Sequence, residues 1–419
     1  MRYENKSVLI IGLGESGKAS KSFLEKRGAR CVVYDDFSSS TFCASDLSRL
    51  DFAVVSPGIS LKHALLSRLR ENGIPVLSEI DLAFLNCKSK NVFAVSGTNG
   101  KTTVCSILGE MLSTERKTYV LGNIGVPFIS QAAKIRSRDL VVLEISSFQI
   151  EQSVVFKPFA ACLTNVGEDH LDRHLTKERY RSIKLSLLKN AKYSVKNADD
   201  RNQASVSADY TYGLSEGADY RLIGREIVCA AGRFRLPEIS RGKAFDLDFL
   251  CAFALSSSVF RPDRKYLKAY SSVKLPPFRN EFVGTFCGAE VFNDSKGTNI
   301  DATLFACSLR EKPTALILGG SDKGESYARL SEGIGPRIER VYLTGANAAE
   351  IYSSADPAFR AKCVLMPDLE SCLIHFKSDP LSALLFSPAS ASFDRYSDYV
   401  ERGERFNALL EKHGARLIR

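Results

Sequence analysis

The chain has 419 residues, 44% hydrophobic and 25% charged, with a formal net charge of +9 at pH 7. That length exceeds one ordinary core and suggests about three domains, while the composition excludes disordered, collagen-like and coiled-coil classes. The positive charge is not gathered into a Lys/Arg block, so nucleic acid is not expected as a partner, and anionic small substrates suit the balance.

Near the start, the apolar run Val8 to Ile11 is far shorter than the ~20 residues of a membrane span, and no export signal is read there. Eleven cysteines are scattered without a CxxC, Cys363 and Cys372 being the nearest pair. Free thiols in a reducing, cytoplasmic setting are expected. Ser7 to Ile11, Cys31 to Tyr34 and Phe52 to Ser56 predict strands, with a helix from about Gly17. This alternation gives a parallel sheet with covering helices over residues 1–90. Polar Cys87 to Asn91 marks a boundary. A second unit, residues 91–276, follows with strands Val92 to Ser96, Leu140 to Ile145 and Ala160 to Asn165, and a helix Lys177 to Asn190 carrying Ile183, Leu187 and Leu188 on one face. Residues 204–250, broken by Gly232, Pro237 and Gly242, read as minor strands and loops. Pro276 and Pro277 mark a linker. The third unit, residues 277–419, again alternates strand and helix, with strands Thr314 to Leu318, Val341 to Thr344 and Ala383 to Ser387.

The strongest chemical signal follows Val92 to Ser96: Gly97, Thr98, Asn99, Gly100, Lys101, Thr102 and Thr103, then a helical run. A glycine-rich turn turns backbone N–H groups towards phosphate oxygens, and the helix N-terminus adds its positive dipole end. Lys101 would neutralise the β and γ phosphates and Thr102 would offer a hydroxyl to Mg²⁺. The common GxxxxGK[ST] pattern would need glycine where Val95 stands. Gly12, Gly14 and Gly17 form GxGxxG with Asp35 about twenty residues on, which fits a nucleotide or sugar-nucleotide site, an NAD site, or a structural strand-to-helix turn. Glu144, at a strand end, suits a Mg²⁺ ligand. His170, amid Glu168, Asp169 and Asp172, is a candidate for a second metal position, although a lone histidine is more often a packed or surface residue. In the third unit, Asn293 to Asn299, Gly319 to Gly324 and Ser387 to Asp394 each crowd polar groups after an apolar strand, where open α/β sheets build sites.

Taken together, these stretches resemble the Mur ligase family, most closely its D-glutamate-adding branch. The more specific pieces are Ser56-Pro57-Gly58-Ile59, Ser96 to Thr103, Gly122-Asn123-Ile124-Gly125, Glu144 to Gln149, Asn293 to Asn299, and Ser387 to Asp394 with Arg402-Gly403. The resemblance implies a three-domain α/β fold: an N-terminal Rossmann-like domain for the UDP-sugar, a central P-loop ATPase-like parallel sheet, and a C-terminal Rossmann-like domain for the amino acid. It places Gly14, Glu15, Ser16, Asp35, Asp36, Ser56 and Asn123 around the UDP-sugar. Gly97 to Thr103 would hold ATP, with Arg279 and Asp294 as further nucleotide contacts. Thr102, Glu144 and His170 would bind two Mg²⁺ ions, and Lys184 matches the lysine that the family carbamylates to steady the second. Lys101, Lys184 and His170 form the catalytic set. Lys296, Thr298, Lys323, Ser392, Phe393 and Tyr399 match the D-glutamate pocket. The implied reaction activates the carboxylate of UDP-N-acetylmuramoyl-L-alanine with ATP as an acyl phosphate, which the amine of D-glutamate then displaces. A cytoplasmic monomer without membrane insertion is expected. The family's GxHNxxN stretch is absent, Gly242-Lys243-Ala244-Phe245-Asp246-Leu247-Asp248 standing in its place. No adenine contact is assigned there.

Overall fold

The structure, a computed structural model, describes residues 3–36, 42, 44–167, 169–238, 242–275, 277–321 and 327–418. It contains two compact units, Met1–Gly167 with Thr176–Leu275, and Glu168–Leu175 with Pro276–Arg419.

The first unit carries two sheets. The smaller runs Arg30–Tyr34, Ser7–Ile11, Phe52–Val55, Val76–Ser78, all parallel. Its central strand Ser7–Ile11 is an unbroken apolar run buried from Val8 onward, because helices cover both faces and leave no side for polar residues. Phe23 and Leu24 of helix Glu15–Glu25 and Ile80 and Leu82 of helix Glu79–Asn86 join one core; Leu65, Leu66 and Leu69 of helix Ala64–Glu71 join the other.

The larger sheet has nine strands, and at its heart Val92–Ser96 lies between Ala160–Leu163 and Leu140–Glu144, all parallel. Thr118–Gly122 closes one edge. Towards the other edge come Tyr193–Asn197, Tyr210–Gly213 and Tyr220–Ile223, then the antiparallel strands Glu226–Cys229 and Gly232–Arg235. The minor strands expected in residues 204–250 are thus a continuation of this sheet. The loops expected there need one correction, since Lys243–Ser257 is a helix. It is buried almost all round, from Phe249 through Leu255, against helix Lys101–Ser113. A helix apolar on every side has no 3.6-residue alternation to betray it.

The second unit holds a seven-stranded sheet, ordered Cys363–Leu365, Ile338–Leu343, Thr314–Leu318, Ala383–Phe386, Ala289–Asn293, Glu281–Phe286, Arg416–Leu417. Its first five strands are parallel, and Glu281–Phe286 runs antiparallel to both neighbours. Separate cores line its two faces, Leu316, Leu318, Val341 and Leu343 on one, Val291, Ala315, Ile317 and Leu384 on the other. Each strand expected from the sequence is present to within three residues at either end. Among the described residues no helix is long and apolar enough to cross a membrane. The described cysteines are free thiols, Cys162 and Cys251 lying with their sulfurs 3.5 Å apart.

Candidate active site

The phosphate loop leaves the carboxyl end of Val92–Ser96, the third strand from one edge of the large sheet, and opens directly into helix Lys101–Ser113. Gly97 and Gly100 adopt positive φ, 147° and 82°. A Cβ at Gly97 would stand 1.8 Å from Thr164 Oγ1, so no larger residue fits. Neighbouring strands grip the loop: Thr98 N–H donates to Asn165 O (2.8 Å) and Asn99 N–H to Asn165 Oδ1 (2.9 Å). Thr98 Oγ1 also shares a hydrogen bond with Tyr180 OH (3.0 Å) and accepts one from Gly167 N–H (2.9 Å).

Two cations converge on a single carbonyl. Lys101 Nζ donates to Gly97 O (3.0 Å) and Thr98 O (2.8 Å), and Lys184 Nζ, from helix Lys177–Asn190, reaches the same Gly97 O at 2.7 Å. Lys184 is 2% exposed and lies 4.8 Å from the Tyr180 ring centroid. Burying an ammonium is costly unless its charge is put to use, and here buried Lys184 and half-buried Lys101 line a turn shaped for anions.

Glu144 ends the adjacent strand, in register with Val95. Its Oε1 accepts from Asn123 Nδ2 at 3.0 Å, while Oε2 is buried with no hydrogen-bond partner among the described residues. A buried carboxylate oxygen left without a donor is expensive. At the end of the strand paired with the one that leads into the phosphate loop, that oxygen fits a hard cation with oxygen preference, such as Mg²⁺. Asn123 N–H is bonded to Glu144 O (2.9 Å), so this predicted sugar-nucleotide residue also fixes the predicted metal ligand.

In the small sheet, Gly12 turns at φ 86° and Ser56 Oγ donates to its carbonyl (2.7 Å). A Cβ at Gly17 would come within 1.9 Å of Gly12 O, whereas one at Gly14 would meet open space. Gly17 is therefore a packing requirement, and Gly14 leaves room for a ligand above the turn. Asp35 accepts from Leu13 N–H at 2.6 Å, bracing the turn. Asp36 accepts from Tyr34 OH (2.9 Å) and lies 3.5 Å from His63 Nε2. Glu15 and Ser16 open the helix Glu15–Glu25 that follows.

In the second unit, His170 has φ 55° and lies beside Asp169, whose Oδ2 is 3.6 Å from its Nε2 and also faces Asn299 Nδ2 at 3.4 Å. His170 therefore belongs with the second unit, whereas Thr102, Glu144 and Lys184 belong with the first. Asp294, at the end of a strand, accepts from Asn280 N–H (2.8 Å) and Ser387 Oγ (2.6 Å). Burial pushes its carboxyl up to about 6. The Arg279 Nε is buried without a partner among the described residues. Lys296 Nζ sits 3.8 Å above the Tyr399 ring, bringing together two of the expected amino-acid contacts. Thr298 lies on the same loop, its N–H bonded to Lys296 O. Ser392 is buried and Phe393 is 75% exposed; Lys323 lies outside the described residues.

Three residues with no role expected from the sequence support these loops. Arg402, 2% exposed, donates to Ser295 O (2.8 Å), Ser295 Oγ (3.1 Å) and Ala391 O (2.9 Å), tying the loop of Lys296 to that of Ser392. Asp81 accepts from the N–H groups of Val154, Val155 and Phe156 and thereby joins the two sheets of the first unit. Asp248, in the stretch that departs from GxHNxxN, packs against the phosphate loop, so close that a Cβ at Gly100 would be 2.5 Å from its Oδ1.

Residues 95–237 match the Mur ligase middle domain. A protein of Caldicellulosiruptor bescii named UDP-N-acetylmuramoylalanine--D-glutamate ligase is 31% identical, the match covering 98% of this chain and 99% of the relative. This chain belongs to the Mur ligase family. A Koribacter versatilis protein with the same name is 32% identical over 98% of each chain. Among solved structures, the MurF ligase of Thermotoga maritima in complex with ADP shares the fold with a TM-score of 0.63 and 18% identity, over 98% of this chain and 95% of that one. The UDP-N-acetylmuramate-alanine ligase of the same organism has a TM-score of 0.61 and 17% identity, covering 97% and 99%. The architecture is thus the three-domain α/β fold of Mur ligases.

Proposed function

We propose that this Mur ligase is an ATP-dependent enzyme that joins D-glutamate to UDP-N-acetylmuramoyl-L-alanine in peptidoglycan precursor synthesis, working as a cytoplasmic monomer. The observation that carries this reading is near end-to-end similarity to ligases of that name; the two lysines at Gly97 O and the Glu144 oxygen that has no partner among the described residues support it. We assign residues 1–90 to the UDP-sugar, 91–276 to ATP and 277–419 to the amino acid.

In this account the substrate's L-alanyl carboxylate attacks the γ-phosphorus, the bond to the β-phosphate oxygen breaks, and ADP leaves. The D-glutamate amine then attacks the acyl carbon and phosphate departs. Two anions must meet in the first step, so positive groups fixed beforehand lower its barrier. Lys101 would exchange its bonds to Gly97 O and Thr98 O for phosphate oxygens. Thr102, Glu144 and His170 would hold Mg²⁺, which when bound screens the phosphate charge. Lys184, once carbamylated, would change from a donor at Gly97 O to an anionic ligand of the second ion. Gly14, Glu15, Ser16, Asp35, Asp36, Ser56 and Asn123 would bind the sugar nucleotide. Arg279 and Asp294 would reach the nucleotide, and Lys296, Thr298, Lys323, Ser392, Phe393 and Tyr399 the D-glutamate.

The deciding assay is phosphate release from ATP and Mg²⁺ with UDP-N-acetylmuramoyl-L-alanine, scanning D-glutamate, L-glutamate, L-alanine and a diamino acid. D-Glutamate alone should support turnover. Turnover with another amino acid instead would move the chain to a different branch of the family.

A further inference from the structure

Gln152 is the last residue of helix Ser147–Gln152, which starts three residues after Glu144. It is 6% exposed, and its Nε2 faces three backbone carbonyls of the small sheet's Ser56 turn, Ile59 O at 2.8 Å, Ser56 O at 3.2 Å and Pro57 O at 3.4 Å. Three acceptors around one amide require the nitrogen to face them. The other end of that amide, Oε1, is buried with no partner among the described residues. A side chain kept at that cost is doing more than filling space. The turn it holds also carries Ser56 Oγ, which donates to Gly12 O and so sets the glycine turn. At the start of the same short helix, Ser146 and Gln149 form a reciprocal cap that fixes its entry immediately after the Glu144 strand.

We infer that Gln152 is a positioning residue for the sugar nucleotide: it locks the Ser56–Ile59 turn, and through it the Gly12 turn, onto the strand end that carries Glu144. This rests on the assignment of the small sheet to the UDP-sugar. The substrate's nucleotide end would bind a turn built on one sheet while its reacting carboxylate must reach a phosphate loop on the other. A strut with one end in each sheet sets the span between them.

The test measures KM for UDP-N-acetylmuramoyl-L-alanine, KM for ATP and kcat on the full chain. Gln152→Met keeps the volume and removes the donor; Gln152→Glu sets an acceptor against three carbonyls. KM for the UDP substrate should rise about tenfold in Gln152→Met and further in Gln152→Glu, with KM for ATP and kcat within about twofold. Gln152→Lys, which returns N–H donors, should recover part of the loss. If Gln152→Met does not fold, Gln152→Asn, which withdraws the donor by one methylene, gives the same comparison. Asp36→Ala tests the underlying assignment. A raised KM for the UDP substrate in Asp36→Ala with none in the Gln152 variants would overturn the strut and leave the sugar-nucleotide site standing. No rise in either would overturn both, and an equal rise in both KM values across the Gln152 variants would also overturn the strut, marking a loss of general integrity.

Discussion

Lys101 and Lys184 are 83 positions apart in the sequence, yet both ammonium groups end on Gly97 O. Their roles separate experimentally. Lys101→Ala should lower phosphate release by at least about 10³-fold while the thermal midpoint stays close to that of the parent, since its bonds are to loop carbonyls at a half-buried site. Lys184→Ala should lose activity and regain part of it with a short added carboxylic acid that replaces a carbamate; indifference to the acid, with activity also unmoved by bicarbonate, would remove the carbamate from the mechanism. The phosphate loop and Lys101 are legible from local order alone, since strand, glycine turn and helix are contiguous. Lys184 is legible only through resemblance, because a lysine in a helix otherwise reads as solvated surface.

At the scale of elements, the joint between the two sheets of the first unit contains a titratable group that the chemistry does not use. Glu79, 1% exposed at the start of helix Glu79–Asn86, accepts from Ile129 N–H at 2.7 Å, and its second oxygen is buried without a partner among the described residues. Burial raises its carboxyl to about 7. The folded value lies above the unfolded one of ~4.3, so folding favours the protonated acid. Stability on this account is fullest below about 4.3, falls as pH rises towards 7, and is level above. Glu79→Gln should therefore raise stability at pH 8 by up to about 3 kcal/mol and change it little near pH 4, a difference that denaturant titrations at the two pH values would read. Equal effects at both would show that the carboxyl is not desolvated. Neither Glu79 nor the hidden helix Lys243–Ser257 could be read from sequence: the one looks like an ordinary acidic first turn, and the other lacks a polar face.

For the whole molecule, the cores of the seven-stranded sheet draw every member from residues 283–410. A fragment of residues 277–419 should fold by itself and unfold in one cooperative thermal transition. A broad, non-cooperative melt would mean that its sheet depends on the rest of the chain. The short segment Glu168–Leu175, which lies within residues 91–276 along the chain, groups with this unit in the structure, and Asn299 Nδ2 meets Asp169 Oδ2 at 3.4 Å. A chain can leave one sheet, touch another and return, and local patterns carry no record of that excursion.

By itself, the order of residues determined the alternation of buried strands and covering helices and the phosphate loop, because these are written in contiguous stretches whose periodicity and turn chemistry are local; the family was legible through the resemblance of its motifs. Only the tertiary structure decided that Gln152 grips the Ser56 turn, that Arg402 ties two loops of the second unit, and that Glu144 keeps one oxygen unpartnered among the described residues. Those facts depend on which distant backbone carbonyls and amides are brought within ~3 Å of a side chain, and that distance is set by packing between elements rather than by spacing along the chain.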